Sequence, residues 1–359
     1  MKRIFNFSAG PANLPVPVLE EASRSVLEID NSGMSILEVS HRGKHYEKIH
    51  AETKERLLKL MGLSASEYTV LFLGGGASTQ FAMLPMNFLS PGDGADYVHT
   101  GEWSSKAIKE VKRYGTANVV ASSENTKFTT IPKSFNVTPG AKYFHTTTNN
   151  TIEGTQWSTI PDCGSTPLVS DMSSDFLSKA LDFKKFSFIY SGAQKNAGPA
   201  GVTLVIAKNG FLEQAKEDLP AMLTYKIHAK NDSLYNTPPV FPIYVVGLVL
   251  KWIESQGGIA QVEKVNERKA AKIYSALDAY PEIYDVVVKE KSDRSLMNLT
   301  FRLKDPEKEK AFLQKAESRE MDGLKGHRSV GGLRASIYNA FPEAGCERLS
   351  ELIHEFAKG

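Results

Sequence analysis

The stretch Phe186-Ser187-Phe188-Ile189-Tyr190-Ser191-Gly192-Ala193-Gln194-Lys195-Asn196-Ala197-Gly198-Pro199 constrains this chain more than any other. Its aromatic and aliphatic first half has the composition of a buried strand. The strand stops at Ser191-Gly192, and one lysine follows in a turn bounded by glycine and proline. A second run, Val202-Thr203-Leu204-Val205-Ile206, begins just beyond it. A lysine held between two buried strands loses hydration, which lowers its pKa and frees a neutral amine to attack a carbonyl. A surface lysine in a tight turn is the plainer reading of the same residues. Upstream, Pro167-Leu168-Val169-Ser170-Asp171-Met172-Ser173-Ser174 places an acid at the exit of another buried strand.

An amine and a carboxylate on neighbouring strand ends are the pair that pyridoxal phosphate chemistry requires, one to bind the aldehyde and one to hold the pyridine nitrogen protonated. The 359 residues suffice for a large core and predict two domains. A formal net charge of +2 with dispersed cations predicts no nucleic-acid footprint. Cys163 and Cys346 have no paired spacing, so neither a metal site nor a disulfide framework is expected, and a reducing compartment is. The opening Met1-Lys2-Arg3-Ile4-Phe5-Asn6-Phe7-Ser8 lacks the apolar run of a signal peptide. Val240 to Trp252, interrupted by Pro242 and Gly247, falls short of a membrane span. A soluble cytoplasmic protein without a membrane or nucleic-acid partner is the expectation.

Residues 1–15 read as a turn-rich N-terminal segment. From 16 to 256 strands and helices alternate: a strand at Thr69–Leu73, a helix from the Gly74-Gly75-Gly76 turn towards Leu89, a strand at Ala95–Val98, and a helix from Ser104 to Tyr114. Further strands are expected near Val119, at Tyr143–His145, and in the runs ending at Asp171 and Tyr190. Such alternation predicts an α/β domain, a mostly parallel sheet covered by helices on both faces, with ligands at the carboxyl ends of its strands. Gly76-Ala77-Ser78, Thr151, Asp171 and Lys195 all fall at or just past such ends. From 257 to 359 the texture changes to a smaller α+β domain, with a polar helix over Ile259–Ala279, strands at Val286–Val288 and Met297–Phe301, and helices from Glu307 and near Leu349.

Gly74 to Thr79 would present backbone N–H groups at a helix N-terminus, where a phosphate is stabilised by amide donors and the helix dipole. A glycine turn used only for packing has the same letters, and no Lys-Ser/Thr pair completes a Walker motif. Trp103 is placed to lie on an aromatic ligand, or equally in a core. Asn236-Thr237-Pro238-Pro239 can cap the helix from Val240 and still offer two hydrogen bonds. Arg42, His327, Arg328 and Arg334 come from distant segments, near glycines. Guanidinium groups grip carboxylate and phosphate through paired hydrogen bonds, so the set suggests a doubly anionic small substrate.

The strings Phe5-Asn6-Phe7-Ser8-Ala9-Gly10-Pro11, Glu38-Val39-Ser40-His41-Arg42-Gly43, Gly192-Ala193-Gln194-Lys195-Asn196, Gly198-Pro199-Ala200-Gly201, Tyr235-Asn236-Thr237-Pro238-Pro239 and Lys325 to Asn339 closely resemble the phosphoserine aminotransferase family. This is a class V, fold-type I group of pyridoxal phosphate enzymes, and the likeness runs essentially end to end. It implies Lys195 as the residue covalently tied to the cofactor, Asp171 at the pyridine nitrogen, Trp103 stacked on the ring and Thr151 near the phenolic oxygen. It implies Ala77, Ser78 and Gln194 as phosphate donors, with Asn236 and Thr237 reaching that phosphate from the second subunit of a homodimer. Arg334 would hold the substrate α-carboxylate; His41, Arg42, His327 and Arg328 would hold the distal phosphate or side-chain carboxylate. The implied reaction is transfer of the amino group of L-glutamate to 3-phosphohydroxypyruvate in serine biosynthesis, with a related four-carbon keto acid of vitamin B6 synthesis as a second acceptor. Some relatives have serine where this chain has Ala9, and arginine where it has Ser78.

Three rivals stay in view. A cysteine desulfurase on the same fold would need a nucleophilic cysteine on a mobile loop, and Cys163 and Cys346 read as structural. A nucleotide-binding module built on Gly74–Thr79 leaves Lys195 and Asp171 unexplained. An inactive dimer would not need the intact lysine, acid and arginine set.

Overall fold

Apolar and β-branched runs between Tyr68 and Lys208 form the strands of the main sheet in a computed structural model that describes residues 3–359. Met1 and Lys2, which begin the segment read as 1–15, lie outside the described residues. The strands are β1 (Tyr68–Leu73), β2 (Gly94–His99), β3 (Thr116–Ser122), β4 (Phe144–Thr147), β5 (Leu168–Asp171), β6 (Phe186–Gly192) and β7 (Thr203–Lys208). Their spatial order is β1-β7-β6-β5-β4-β2-β3. All pairings are parallel except those of β7, which runs antiparallel to β6 and to β1. The connection from β6 to β7 holds Lys195 and is too short for a parallel crossover, so the second strand must turn back.

Alternate residues of each strand enter different cores, as a period of two requires. Val70 and Phe72 belong to one core, Leu71 and Leu73 to the other. The helices along the sheet are α1 (Val16–Leu27), α2 (Lys44–Met61), α3 (Gly76–Phe88), α4 (Glu102–Val111) and α5 (Val240–Ser255). α1, α2 and α5 cover the first face; α3 and α4 cover the second with Phe81, Leu84, Phe88, Ala107, Ile108 and Val111. The expected mostly parallel, doubly covered sheet is therefore present. α4 starts two residues before the expected Ser104, because Ser104 Oγ accepts from the N–H groups of Thr100 and Gly101 at 2.9 and 3.0 Å and so caps the turn.

The remaining elements are α6 (Ile259–Asp278), β8 (Tyr284–Val286), β9 (Asn298–Leu303), α7 (Glu307–Glu317), β10 (Leu333–Ser336) and α8 (Glu343–Lys358). The strands form an antiparallel sheet in the order β8-β9-β10. β8 lies two residues before the expected Val286–Val288, because Tyr284 pairs with Leu303 and buries its ring beneath α8, donating its hydroxyl to Ile353 O at 2.8 Å. α6 joins two cores: Ile259 and Val262 pack with the main sheet, while Ala270, Ile273 and Leu277 pack with β8–β10. The N-terminal segment returns to this second core, where Phe5-Asn6 pairs with Met321-Asp322 and Phe7 meets Phe341 at 4.4 Å between ring centroids. Among the described residues no helix is long and apolar enough to cross a membrane, and no cluster of metal-ligating side chains occurs.

Candidate active site

The carboxyl ends of β1, β2, β4, β5 and β6 open on one edge of the main sheet. Lys195 stands just past the end of β6, and its Nζ donates to Thr151 Oγ1 at 2.7 Å. The same nitrogen lies 5.7 Å from the centroid of the Trp103 ring, which the first turn of α4 carries. Lys195 keeps part of its surface open, while enclosure by protein lowers its pKa to about 8. Asp171 and Asp175 oppose that fall and Arg334 reinforces it.

Asp171 ends β5 and is buried, with 4% of its surface exposed. Burial raises its pKa, against the hydrogen bond that Oδ1 accepts from Ser173 N at 2.9 Å and the nearby Lys195 charge. A carboxylate in that position is uphill to ionise until a cation sits against it.

Arg334 projects from β10, on the smaller sheet, and donates Nη1 to Thr151 O at 3.2 Å. Thr151 thus receives Lys195 at its hydroxyl and Arg334 at its carbonyl. Arg334 Nε is buried without a partner, as is Trp103 Nε1. Burial, followed by the charges of Arg334 and Arg328, holds His327 below the usual imidazole range, so the imidazole is disfavoured as a cation in the field of two guanidinium groups. A cavity of about 400 Å³ opens beside them, lined in part by Lys127, Glu153, Arg302, His327 and Arg334. Lys195 and Asp171 are not in its wall.

At the end of β1 the glycine turn feeds α3. Gly75 has φ +83°, and a Cβ there would stand 1.8 Å from Thr79 Oγ1, so only glycine fits. Gly74 and Gly76 face open space, and the amides of Gly76, Ala77 and Ser78 start the helix without intrahelical partners. Gln194 folds back over Gly192, where a Cβ would meet its Oε1 at 2.7 Å, and its carbonyl accepts from Ala12 N at 2.9 Å.

The remaining expected residues stand apart in a single chain. Arg42, Asn236 and Thr237 are exposed, and Asn236 Nδ2 donates only to the carbonyl of Thr237, at 3.1 Å. His41 Nε2 is buried without a partner. Among the described residues no hydrogen bond joins these four to Lys195, Asp171 or Arg334.

Two buried acids went unread. Asp175 accepts from Thr148 Oγ1 at 2.5 Å and Gln156 Nε2 at 3.1 Å, and burial raises its pKa. Glu153 Oε1 accepts from Glu102 N at 2.8 Å at the start of α4; burial raises its pKa as well, while the Arg334 charge opposes the rise. Gly101 makes room for it, since a Cβ there would come 2.6 Å from its carboxyl carbon. The signal for Glu153 was a lone acid between two threonine-rich turns, which is also what a loop looks like.

The family model described as aminotransferase class-V matches residues 4–349. The chain belongs to the class-V aminotransferases. It is 52% identical over 359 residues to a phosphoserine aminotransferase of Desulfosudis oleivorans, covering 99% of each chain. The solved phosphoserine aminotransferase of Bacillus circulans subsp. alkalophilus superposes with a TM-score of 0.97 at 50% identity, over 100% of this chain and 99% of that one. The structure of PLP-bound phosphoserine aminotransferase from Trichomonas vaginalis matches with a TM-score of 0.91 at 39% identity, covering 98% and 99%. Within the class, the chain belongs with the phosphoserine aminotransferases.

An aminotransferase of this class works with pyridoxal phosphate, and the residues present fit that group. Lys195 is a desolvated amine, Asp171 a buried carboxylate that gains from a cationic partner, and Trp103 offers a ring with an unpartnered Nε1. The first turn of α3 supplies free amides for a phosphate.

Proposed function

We propose that this aminotransferase transfers the amino group of L-glutamate to 3-phosphohydroxypyruvate, giving O-phospho-L-serine and 2-oxoglutarate in two alternating half-reactions. One observation carries the reading: Thr151 accepts from Lys195 Nζ at 2.7 Å and from Arg334 Nη1 at 3.2 Å, which puts a reactive amine and a carboxylate receptor on the same residue. The same chemistry would serve a four-carbon phosphorylated keto acid.

Pyridoxal phosphate, when bound, supplies an aldehyde that condenses with amines and a ring that absorbs carbanion charge. The protein does the rest. Lys195 would hold the cofactor, and its amine would take the proton from the substrate Cα and later give one back. A pKa of about 8 leaves about a tenth of the amine neutral at pH 7, enough to act as a base. Asp171 would hold the pyridine nitrogen protonated, Trp103 would stack on the ring, and Thr151 would hydrogen-bond near its phenolic oxygen. Ala77, Ser78 and Gln194 would bind the phosphate.

Arg334 would grip the α-carboxylate, fixing Cα within reach of the Lys195 amine. His41, Arg42, His327 and Arg328 would share the distal phosphate or the glutamate side chain. The exposure of Arg42, Asn236 and Thr237 suits residues completed by a second copy, with Asn236 and Thr237 reaching the partner's phosphate site. The active unit is then a homodimer, and its place the cytoplasm. Visible spectra before and after adding glutamate test the reading: the absorbance of the bound aldehyde should be replaced by that of its amine form, with release of 2-oxoglutarate. An unchanged spectrum, or no phosphoserine on adding the keto acid, would overturn it.

A further inference from the structure

The buried stripe of α6 runs through Ile259, Val262, Asn266, Lys269, Ile273 and Leu277. Lys269 is 0% exposed, yet the mechanism makes no use of it. Its Nζ donates to the carbonyls of Ile337, Tyr338, Asn339 and Phe341 at 3.0, 2.7, 3.4 and 3.2 Å. An ammonium has three hydrogens to give, so four oxygens crowd one cation. Among the described residues no carboxylate is hydrogen-bonded to it: Glu343, at the start of α8, adds only a weaker opposing charge and pairs with Arg268 at 3.5 Å and Lys272 at 3.7 Å. Burial lowers the amine's pKa to about 8, which leaves it an ammonium at neutral pH. Backbone dipoles converging on a dehydrated monovalent charge form a carbonyl cage, here with the cation tethered to the chain.

The caged segment connects with both halves of the active site. It leaves β10 three residues after Arg334. Tyr338 donates its hydroxyl to Ala9 O at 2.8 Å, next to Gly10, where a Cβ would come 3.3 Å from Lys195 Cγ. Asn339 N donates to Asn196 Oδ1 at 2.9 Å, beside Lys195 itself. The turn at 337–341 therefore sets the spacing between the arginine on the smaller sheet and the lysine on the main one.

We infer that Lys269 is a positioning residue acting as a built-in monovalent cation, and that removing its side chain makes the fit between Arg334 and Lys195 depend on an added ammonium ion. The inference rests on the transaminase reading only for its kinetic arm; the stability arm is independent of it.

The experiment uses the holoenzyme with Lys269→Ala, which vacates the cage, and Lys269→Met, which fills the space without charge. In tetramethylammonium chloride both should unfold roughly 5 °C or more below the wild type, as expected when several buried acceptors lose their donor. Both should also raise KM for glutamate more than they lower kcat. Ammonium or ethylammonium chloride at equal ionic strength should return Lys269→Ala towards wild-type Tm and KM together, and leave Lys269→Met unchanged. Wild-type stability for Lys269→Met overturns the inference, as does a loss in Lys269→Ala that no N–H cation repairs. Recovery of Tm without any transaminase activity in the wild type would instead remove the functional reading alone. If neither variant folds, nitrogen-15 spectra of lysine side chains in the wild type decide. A buried ammonium with slowly exchanging hydrogens at neutral pH is expected, and its absence overturns the cage.

Discussion

Lys195 Nζ donates to Thr151 Oγ1 over 2.7 Å, so a neutral hydroxyl accepts from an amine that burial has partly stripped of water. The lysine's pKa is about 8, so the reactive neutral fraction rises tenfold per pH unit up to that value and then levels. The rate at which cofactor-free enzyme takes up pyridoxal phosphate should follow the same curve. Thr151→Val removes an acceptor from the ammonium form and stabilises the amine relative to it. A net hydrogen bond of about 1 kcal/mol corresponds to roughly 0.7 pH unit, so the midpoint should move down by that amount. Stopped-flow uptake between pH 6 and 9 measures it, and an upward shift would show that the hydroxyl favours the neutral amine.

Lys195→Ala should reduce turnover at least about 10³-fold, because the variant lacks the amine proposed to move the Cα proton. Borohydride should attach the cofactor irreversibly to the wild type and leave the variant unlabelled, as mass spectrometry of the intact chain will show. Labelling of the variant at another lysine would displace residue 195 from its role.

The two ends of the substrate should separate by arginine. Arg334→Gln would lose the proposed paired contact to a carboxylate common to both amino acids, and should cost about 2–4 kcal/mol in kcat/KM for glutamate and phosphoserine alike. Arg328→Ala, on the exposed loop that carries His327, should raise KM for the phosphorylated substrate about tenfold or more with little change in cofactor affinity. Equal effects of Arg328→Ala on a phosphorylated and an unphosphorylated acceptor would place that side chain outside the anion site.

The lysine turn and the acid were legible because each interrupts a run of buried residues, and a charge at the end of an apolar strand has few places to go. The glycine turn was legible only as three glycines before a helix, which packing alone could explain; that Gly75 admits no side chain is a matter of the fold. Lys269 was not: it sits in a helix rich in charge, where lysine ordinarily faces water. Its position on the stripe through Asn266 and Ile273 was the available signal, but which face α8 and residues 337–341 cover is a matter of tertiary packing. Glu153 and Asp175 were hidden for the same reason, since burial of a single acid depends on elements distant in sequence. The antiparallel course of β7 was implicit in the short connection after Lys195.

Gly101→Ala tests the support beneath Trp103. The new Cβ would drive against the Glu153 carboxylate, which now caps the N-terminus of α4. Losing a buried carboxylate from a helix N-terminus costs about 1–2 kcal/mol and lets the first turn, with Trp103, shift. Cofactor affinity should fall by roughly tenfold, with a change in the fluorescence quenching of tryptophan by bound cofactor. Unchanged affinity and quenching would show that Trp103 is held by the core side of α4 alone.

The proposed homodimer, in which the exposed Asn236 and Thr237 reach the other subunit's site, predicts that defects in different chains complement each other. Lys195→Ala loses its own catalytic amine. An Asn236→Ala/Thr237→Ala chain keeps that amine but deprives its partner's phosphate site, so at low cofactor it should also be nearly inactive. In a mixed dimer, the site holding the intact Lys195 receives intact Asn236 and Thr237 from the lysine-deficient chain. The opposite site carries both lesions. Random pairing makes half the dimers mixed, and each has one working site, so co-refolded chains should recover about a quarter of wild-type activity. If Asn236 and Thr237 served their own chain's cofactor, each site in a mixed dimer would carry one lesion and nothing would be recovered.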